Sequence, residues 1–277
     1  MSSAFPEGEL TFRQFQAAGE ELGGKAHVLD GVHGYFRGHA NRLYNTCKRF
    51  GLFSNKLGDV LEVGPFYSYT PFILRSASSS YMVIEGDDPI VYPLEPLYKD
   101  YSIDLAYTDF FEVFGPTKSA SHRLSLPDNR FDTILCWETM EHFNFNPIKF
   151  VRELYRILKP GGKVCVTVPN KASVYNLLKL IFGKHEKSGI DSFYQFEDYE
   201  SNGKKAFFGF HWREYSSREL HQLFHQAGFK VQVSGSFNDF ISHPNISLSR
   251  HLARTLYKAG TFALPRYRSN IYLIASK

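Results

Sequence analysis

Residues 59–68, Asp-Val-Leu-Glu-Val-Gly-Pro-Phe-Tyr-Ser, constrain the fold more than any other stretch. A short apolar run (Val60, Leu61, Val63) carries one acid, Glu62, and ends on Gly64. A helix-like run, Thr70-Pro-Phe-Ile-Leu-Arg75, follows the turn. A strand that enters a glycine turn and then a helix is a common way to build a nucleotide-type cofactor site. The turn lets a ligand approach the backbone, and the helix start offers N–H groups. Dinucleotide sites use G-x-G-x-x-G. Here a single glycine is followed by Pro65, Phe66 and Tyr67. That pattern disfavours a pyrophosphate seated on the helix and suits a phosphate-free cofactor whose charged end is an amino acid.

Strand and helix patterns alternate from there on. Strands are expected at 59–63, 80–85, 102–107, 131–136, 163–168, 229–233 and 270–275. Such alternation implies a parallel sheet covered by helices. A helix over 35–50 leads into the first strand. Asn146-Pro147 opens a helix over 147–159 with Ile148, Val151, Leu154, Tyr155 and Leu158 at helical spacing, and Lys159-Pro-Gly-Gly162 stops it. Ser216-Ser-Arg-Glu219 is a capping box that opens another helix, closed by Gly228. Residues 246–259 read as a basic amphipathic helix with Leu248, Leu252 and Leu256 on one face.

Two regions break the rhythm. Residues 1–34 have scattered glycines and no clean period, so they read as a partly ordered N-terminal arm before one domain over 35–277. Residues 170–212 hold Phe193, Tyr194, Phe196, Tyr199, Phe207, Phe208, Phe210 and Trp212 among charges and glycines. This insertion reads as a lid over a pocket, with a satellite hydrophobic cluster as the alternative.

Composition excludes several classes. Apolar residues make up 43% of 277, enough for a packed core. The formal charge of +4 is spread along the chain with no Lys/Arg block, so nucleic acid is not the expected partner. Cys47, Cys136 and Cys165 are far apart and odd in number, which suits buried free thiols in a reducing compartment and no cysteine zinc site. No apolar run reaches the roughly 18 residues of a membrane span, and the N-terminus lacks the regions of a signal peptide. A cytoplasmic protein with no membrane insertion is the expectation.

Taken in order, Val60-Leu-Glu-Val-Gly64, the strand-end acid Glu85, Tyr107-Thr-Asp-Phe110, Leu126-Pro-Asp-Asn-Arg-Phe-Asp132, Trp137-Glu-Thr-Met-Glu-His142, Leu158-Lys-Pro-Gly-Gly162 and Ala227-Gly-Phe229 resemble class I S-adenosylmethionine-dependent methyltransferases. The resemblance implies a Rossmann-like α/β fold. Its sheet is seven-stranded and mostly parallel, with helices on both faces and one antiparallel strand near the C-terminus. It implies S-adenosylmethionine as cofactor, bound around Glu62, Gly64, Pro65, Glu85, Gly86, Asp109, Phe110 and Trp137. Glu85 would accept from the ribose hydroxyls, with Asp87 as its rival. Asp109 and Phe110 would flank the adenine, unless Asp109 is a plain helix cap. Trp137 would stand beside the sulfonium or be ordinary core. The turn Pro65-Phe66-Tyr67 departs from the family's further glycines.

His142 follows the fourth strand, where an imidazole can take an acceptor's proton, and His211 closes the aromatic insertion. Glu-x-x-Glu-His resembles the arrangement of ubiquinone-pathway O-methyltransferases. There, Glu138, Glu141 and His142 would be metal candidates, against the reading that they cap and brace, which expects no metal. The function expected is methyl transfer to a small-molecule acceptor, most simply a hydroxyl oxygen of a sugar-containing or aromatic metabolite. The rivals are a degenerate binding or scaffolding protein, an N- or C-methyltransferase and an RNA methyltransferase.

Overall fold

Seven strands form one sheet in the computed structural model, which describes residues 10–26, 30–53, 56–116, 120–183, 210–239 and 247–277. They are β1 (Asp59–Val63), β2 (Ser80–Gly86), β3 (Asp104–Thr108), β4 (Phe131–Trp137), β5 (Leu158–Pro169), β6 (Lys230–Phe237) and β7 (Asn270–Ser276). Their spatial order is β3-β2-β1-β4-β5-β7-β6. The pairs from β3 to β5 are parallel, and β7 runs antiparallel to both its neighbours. The doubly wound sheet expected from the sequence is therefore present, with its antiparallel strand at the C-terminus.

Alternation along each strand divides the core. Val60, Tyr81, Val83, Leu135 and Cys165 point to one face, and Leu61, Ile84, Ile134, Cys136 and Val164 to the other. The first face is covered by α1 (Phe12–Lys25), α2 (Asp30–Arg49), α3 (Thr70–Leu74) and α4 (Glu95–Asp100). The second is covered by α5 (Phe110–Phe114), α6 (Pro147–Ile157) and α8 (Ser217–Gln226). Two further helices, α7 (Val174–Ile181) and α9 (Leu248–Ala263), follow β5 and β6. In α6, Asn146 accepts from the Ile148 N–H, Pro147 stands in the first turn, and Phe150, Val151, Leu154 and Ile157 are buried. Each such side chain contributes about 1.5–3 kcal/mol. The Ser216–Glu219 capping box opens α8 as expected. All three cysteines are free and buried.

Two expectations need correction. Residues 12–25, read as part of an arm, form a capped helix whose Phe15 ring lies 5.7 Å from Phe36 of α2. The segment Leu158-Lys-Pro-Gly-Gly162 ends α6 but belongs to β5, with Gly161 at φ +79. The aromatic residues from 184 to 209 that suggested a lid lie outside the described residues.

Candidate active site

The end of β1 sets the first half of the site. Gly64 has φ +62, and a Cβ there would stand 2.8 Å from Thr139 Cγ2. The turn is held by the Gly64 N–H donating to Ile84 O at 2.8 Å. Phe66 and Tyr69 also have positive φ, at 50 and 57. For bulky residues such a conformation stores strain of about 1–3 kcal/mol each. Gly64→Ala is expected to cost a similar 1–3 kcal/mol of stability, read as a lower urea midpoint, because the Cβ meets both a forbidden φ and Thr139.

Beneath this turn lie two buried acids. Glu62 accepts from the Thr70 hydroxyl at 2.6 Å and the Tyr81 hydroxyl at 2.5 Å. Burial pushes its carboxyl up to about 7 despite those donors. Glu85, at the end of β2, accepts from the Phe66 N–H at 2.7 Å through Oε1. Its Oε2 is buried with no hydrogen-bond partner among the described residues. Burial first, opposed by the Phe66 N–H and reinforced by the Glu62 charge, raises Glu85 to about 8. Asp87 instead accepts from the exposed Tyr92 hydroxyl at 2.7 Å.

Other members of the expected cofactor set are dispersed around these acids. Gly86 ends β2 opposite Thr108 of β3. Asp109 caps α5, accepting from the Glu112 N–H at 2.9 Å. The Phe110 ring lies 5.6 Å from Phe143. Trp137 ends β4, stacks on Phe50 at 6.0 Å and has a buried Nε1 with no partner among the described residues. Together with Glu62 and Pro65, Trp137 lines a small recess between β1 and β4.

Arg42 of α2 closes that recess. It is 7% exposed, with Nη1 3.0 Å from Glu138 Oε2 and Nε 3.5 Å from Asp239 Oδ2. Its Nη2 donates to the Tyr35 hydroxyl at 3.1 Å. Asn270 donates to both oxygens of Glu138, at 3.1 and 3.0 Å. Glu138, itself at φ +50, is thus a brace between α2 and β7.

A cavity of about 630 Å³ opens beyond Glu138, past the C-terminal ends of β4 and β5. Its walls include His142, His211, Glu141, Glu214, Asn176 and Tyr175. Backbone pairing brings the two imidazoles together. The Trp212 N–H donates to Glu141 O at 2.8 Å, laying residues 210–213 along the turn after β4. His142 Nδ1 lies 2.7 Å from Phe210 O. A carbonyl only accepts, so Nδ1 carries the proton, and Nε2 is the lone-pair nitrogen of the neutral ring. The His211 ring stands edge-on at 4.9 Å, its Nδ1 3.4 Å from Glu214 Oε1. Asn176 in turn donates to Glu214 Oε2 at 2.5 Å. One ligand atom each from Glu141, His142 and His211 lie within 4.8 Å of one another.

Sequence reasoning missed the Arg42 network and the Asn176–Glu214 pair. A signal for the first was present. Tyr35, His39, Arg42 and Thr46 recur at helical spacing on α2 and all line these two concavities.

Comparison with known proteins identifies the family and the fold. Residues 36–233 match a family described as a methyltransferase domain. A probable S-adenosylmethionine-dependent methyltransferase of Mycolicibacterium smegmatis is 25% identical over 174 residues, 63% of this chain and 52% of that protein. Phosphoethanolamine N-methyltransferase 3 of Arabidopsis thaliana is 40% identical over 68 residues, 24% of this chain and 13% of that one. The chain thus spans about half the length of the first relative and much less of the second. Among solved structures, a chain from the complex of the Haloferax volcanii Trm112 methyltransferase activator with a methyltransferase superposes with a TM-score of 0.54. Its identity is 18%, and the match covers 92% of this chain and 97% of that one. An S-adenosylmethionine-dependent methyltransferase of Archaeoglobus fulgidus gives 0.53 at 14% identity, over 88% and 96%. At these identities the structural likeness is one of fold.

Proposed function

Because the chain belongs to the methyltransferase-domain family, whose cofactor is S-adenosylmethionine, we propose that it transfers a methyl group to a hydroxyl oxygen of a small molecule held in the large cavity. The observation that carries the oxygen acceptor is the tautomer of His142. Its Nδ1 proton is held by Phe210 O, which turns the basic Nε2 into the proton-accepting atom of a residue lining that cavity. The mixed polar and aromatic wall of Asn176, Glu214 and Tyr175 suits a sugar-containing or aromatic acceptor.

The residues at β1 and β2 fit the cofactor. Glu85 Oε2 is a buried acceptor in want of donors, which two ribose hydroxyls would supply. Gly64 keeps the turn open where a side chain would collide with Thr139. Pro65, Gly86, Asp109, Phe110 and Trp137 are assigned to the same site. The cofactor brings a methyl group already activated on a cationic sulfur. The protein's part is alignment, the exclusion of water and a place for the proton. With the cofactor bound to supply the methyl group, His142 Nε2 would take the acceptor's hydroxyl proton, with His211 beside it as the second base.

Calorimetric titration with S-adenosylmethionine, followed by transfer of labelled methyl to hydroxyl-bearing acceptors, tests this reading. No binding at millimolar cofactor would favour a scaffolding role instead. The closeness of Glu141, His142 and His211 supports a second reading, in which a divalent ion orients the acceptor. If so, a chelator abolishes turnover and added Mg²⁺ or Mn²⁺ restores it in the wild type but not in Glu141→Ala. Turnover unchanged by chelation leaves the imidazole mechanism alone.

A further inference from the structure

Two helices at the rim of the cavity present their apolar sides outward. In α7 the buried residue is polar, Asn176. Meanwhile Leu178, Leu180, Ile181 and the adjoining Phe182 are 48%, 53%, 75% and 73% exposed. In α9, Thr261 is buried and bonded to Asn238, and Tyr257 donates to Tyr267 O. With Arg254, these residues form the inward stripe of α9 at helical spacing. Leu252 and Leu256 lie on the opposite side, 58% and 63% exposed, and Phe262 is 81% exposed. A surface helix of a globular protein has the reverse arrangement, apolar stripe inward. The Tyr257 hydroxyl also meets the Ser173 side chain and the first residues of α7, so the two helices adjoin.

Charge identifies what covers such a face. From residue 240 to 277 the sequence contains no Asp or Glu but holds Arg250, Arg254, Lys258, Arg266, Arg268 and Lys277. Arg250, Lys258 and Arg266 are exposed on α9 or just beyond it. Grouped exposed apolar side chains mark an interaction surface. A basic helix with Leu and Phe on its free side matches an anionic lipid headgroup layer, with the apolar side chains in the headgroup–acyl boundary and the cations at the phosphates. Among the described residues no helix is long and apolar enough to cross a membrane, so the geometry is that of a helix lying on the surface. We propose that α7 and α9 together form a docking face for a bilayer bearing anionic lipids. The cavity rim, where Tyr175 and Arg254 stand, then lies at the interface.

The test is sedimentation of the full chain with vesicles of phosphatidylcholine alone and of phosphatidylcholine with phosphatidylglycerol. The chain is expected to sediment with the anionic vesicles, to remain largely in solution with the neutral ones, and to be released as salt rises. The pairs Leu252→Ser/Leu256→Ser and Ile181→Ser/Phe182→Ser alter exposed side chains outside the cavity wall. Each pair is expected to weaken vesicle binding about tenfold or more while leaving the thermal melt and the cofactor titration unchanged. Absence of binding to anionic vesicles, or binding indifferent to both pairs, overturns the proposal. So does sedimentation velocity showing a dimer that either pair dissolves in a chain that ignores vesicles. The face would then join two copies of the protein.

Discussion

Replacing His142 by alanine is expected to slow methyl transfer by about 10²–10⁴-fold, the usual worth of a positioned general base. The imidazole is the group whose lone-pair nitrogen is fixed by a hydrogen bond on the other side of the ring. It lines the large cavity, whereas the residues proposed for the cofactor cluster at Gly64 and Glu85. Calorimetry should therefore give nearly the same cofactor affinity for His142→Ala and wild type, with the loss confined to turnover. His211→Ala is expected to have the smaller effect. Full turnover in His142→Ala would move the base to His211, or make proximity sufficient by itself.

Glu85→Gln is expected to do two opposite things. With a neutral amide in place of the carboxylate, cofactor binding should weaken about 10²-fold. Above about pH 8, where the carboxyl is ionised, two hydrogen bonds to the charged acceptor are each worth about 1.5–3 kcal/mol, and part is regained by the amide oxygen. Without cofactor, the same variant should be more stable than wild type at alkaline pH. The sign follows from the carboxyl at about 8 in the folded chain against an ordinary value near 4.5. The folded state holds its proton more tightly than the unfolded one. The stability this gives is full below about pH 4.5 and is lost as pH rises through about 8. Complete loss amounts to roughly 3–5 kcal/mol at most. Urea midpoints of both proteins from pH 5 to pH 9 would check it. Parallel curves would mean that Glu85 does not carry a buried proton. An unchanged cofactor titration would move the ribose contact elsewhere, with Asp87 the next to replace.

The elements legible in the sequence were those whose signal is local. Strands β1, β2 and β4 announced themselves by apolar runs, and α6 and α8 by caps followed by helical spacing. Helix α1 did not, because its buried stripe is Phe15, Ala18, Gly19, Leu22 and Gly23. Glycine is a poor helix former and registers as a break. Yet at Gly19 a Cβ would stand 2.0 Å from the Phe36 ring, so close approach of α1 to α2 is the reason for the residue. Among the candidate site residues, the positions of Gly64 and Glu85 at strand ends and of His142 in the turn after β4 were readable, because this topology gathers ligands on that side of the sheet. The helical spacing of Tyr35, His39, Arg42 and Thr46 marked a face of α2, but the partners of Arg42 were not readable, since Glu138 and Asp239 come from beyond β4 and β6, and only the closed sheet brings them to α2.

That ion-pair network bears on the smallest piece of the chain able to fold and work. A polypeptide begun at β1 would keep every strand of the sheet, and by topology alone it would look complete. It would nonetheless lose the guanidinium that neutralises Glu138 at the cavity floor, along with the Phe36, Leu43 and Cys47 side chains that cover one side of the core. Glu138, its side chain 12% exposed, would keep its two Asn270 hydrogen bonds but lose the adjacent cation. Helix α2 is therefore an integral part of the folded unit. Shortening the protein from its N-terminal side would strip first α1, whose Phe15 and Leu22 are buried in the same face of the core, and then the helix that carries Arg42.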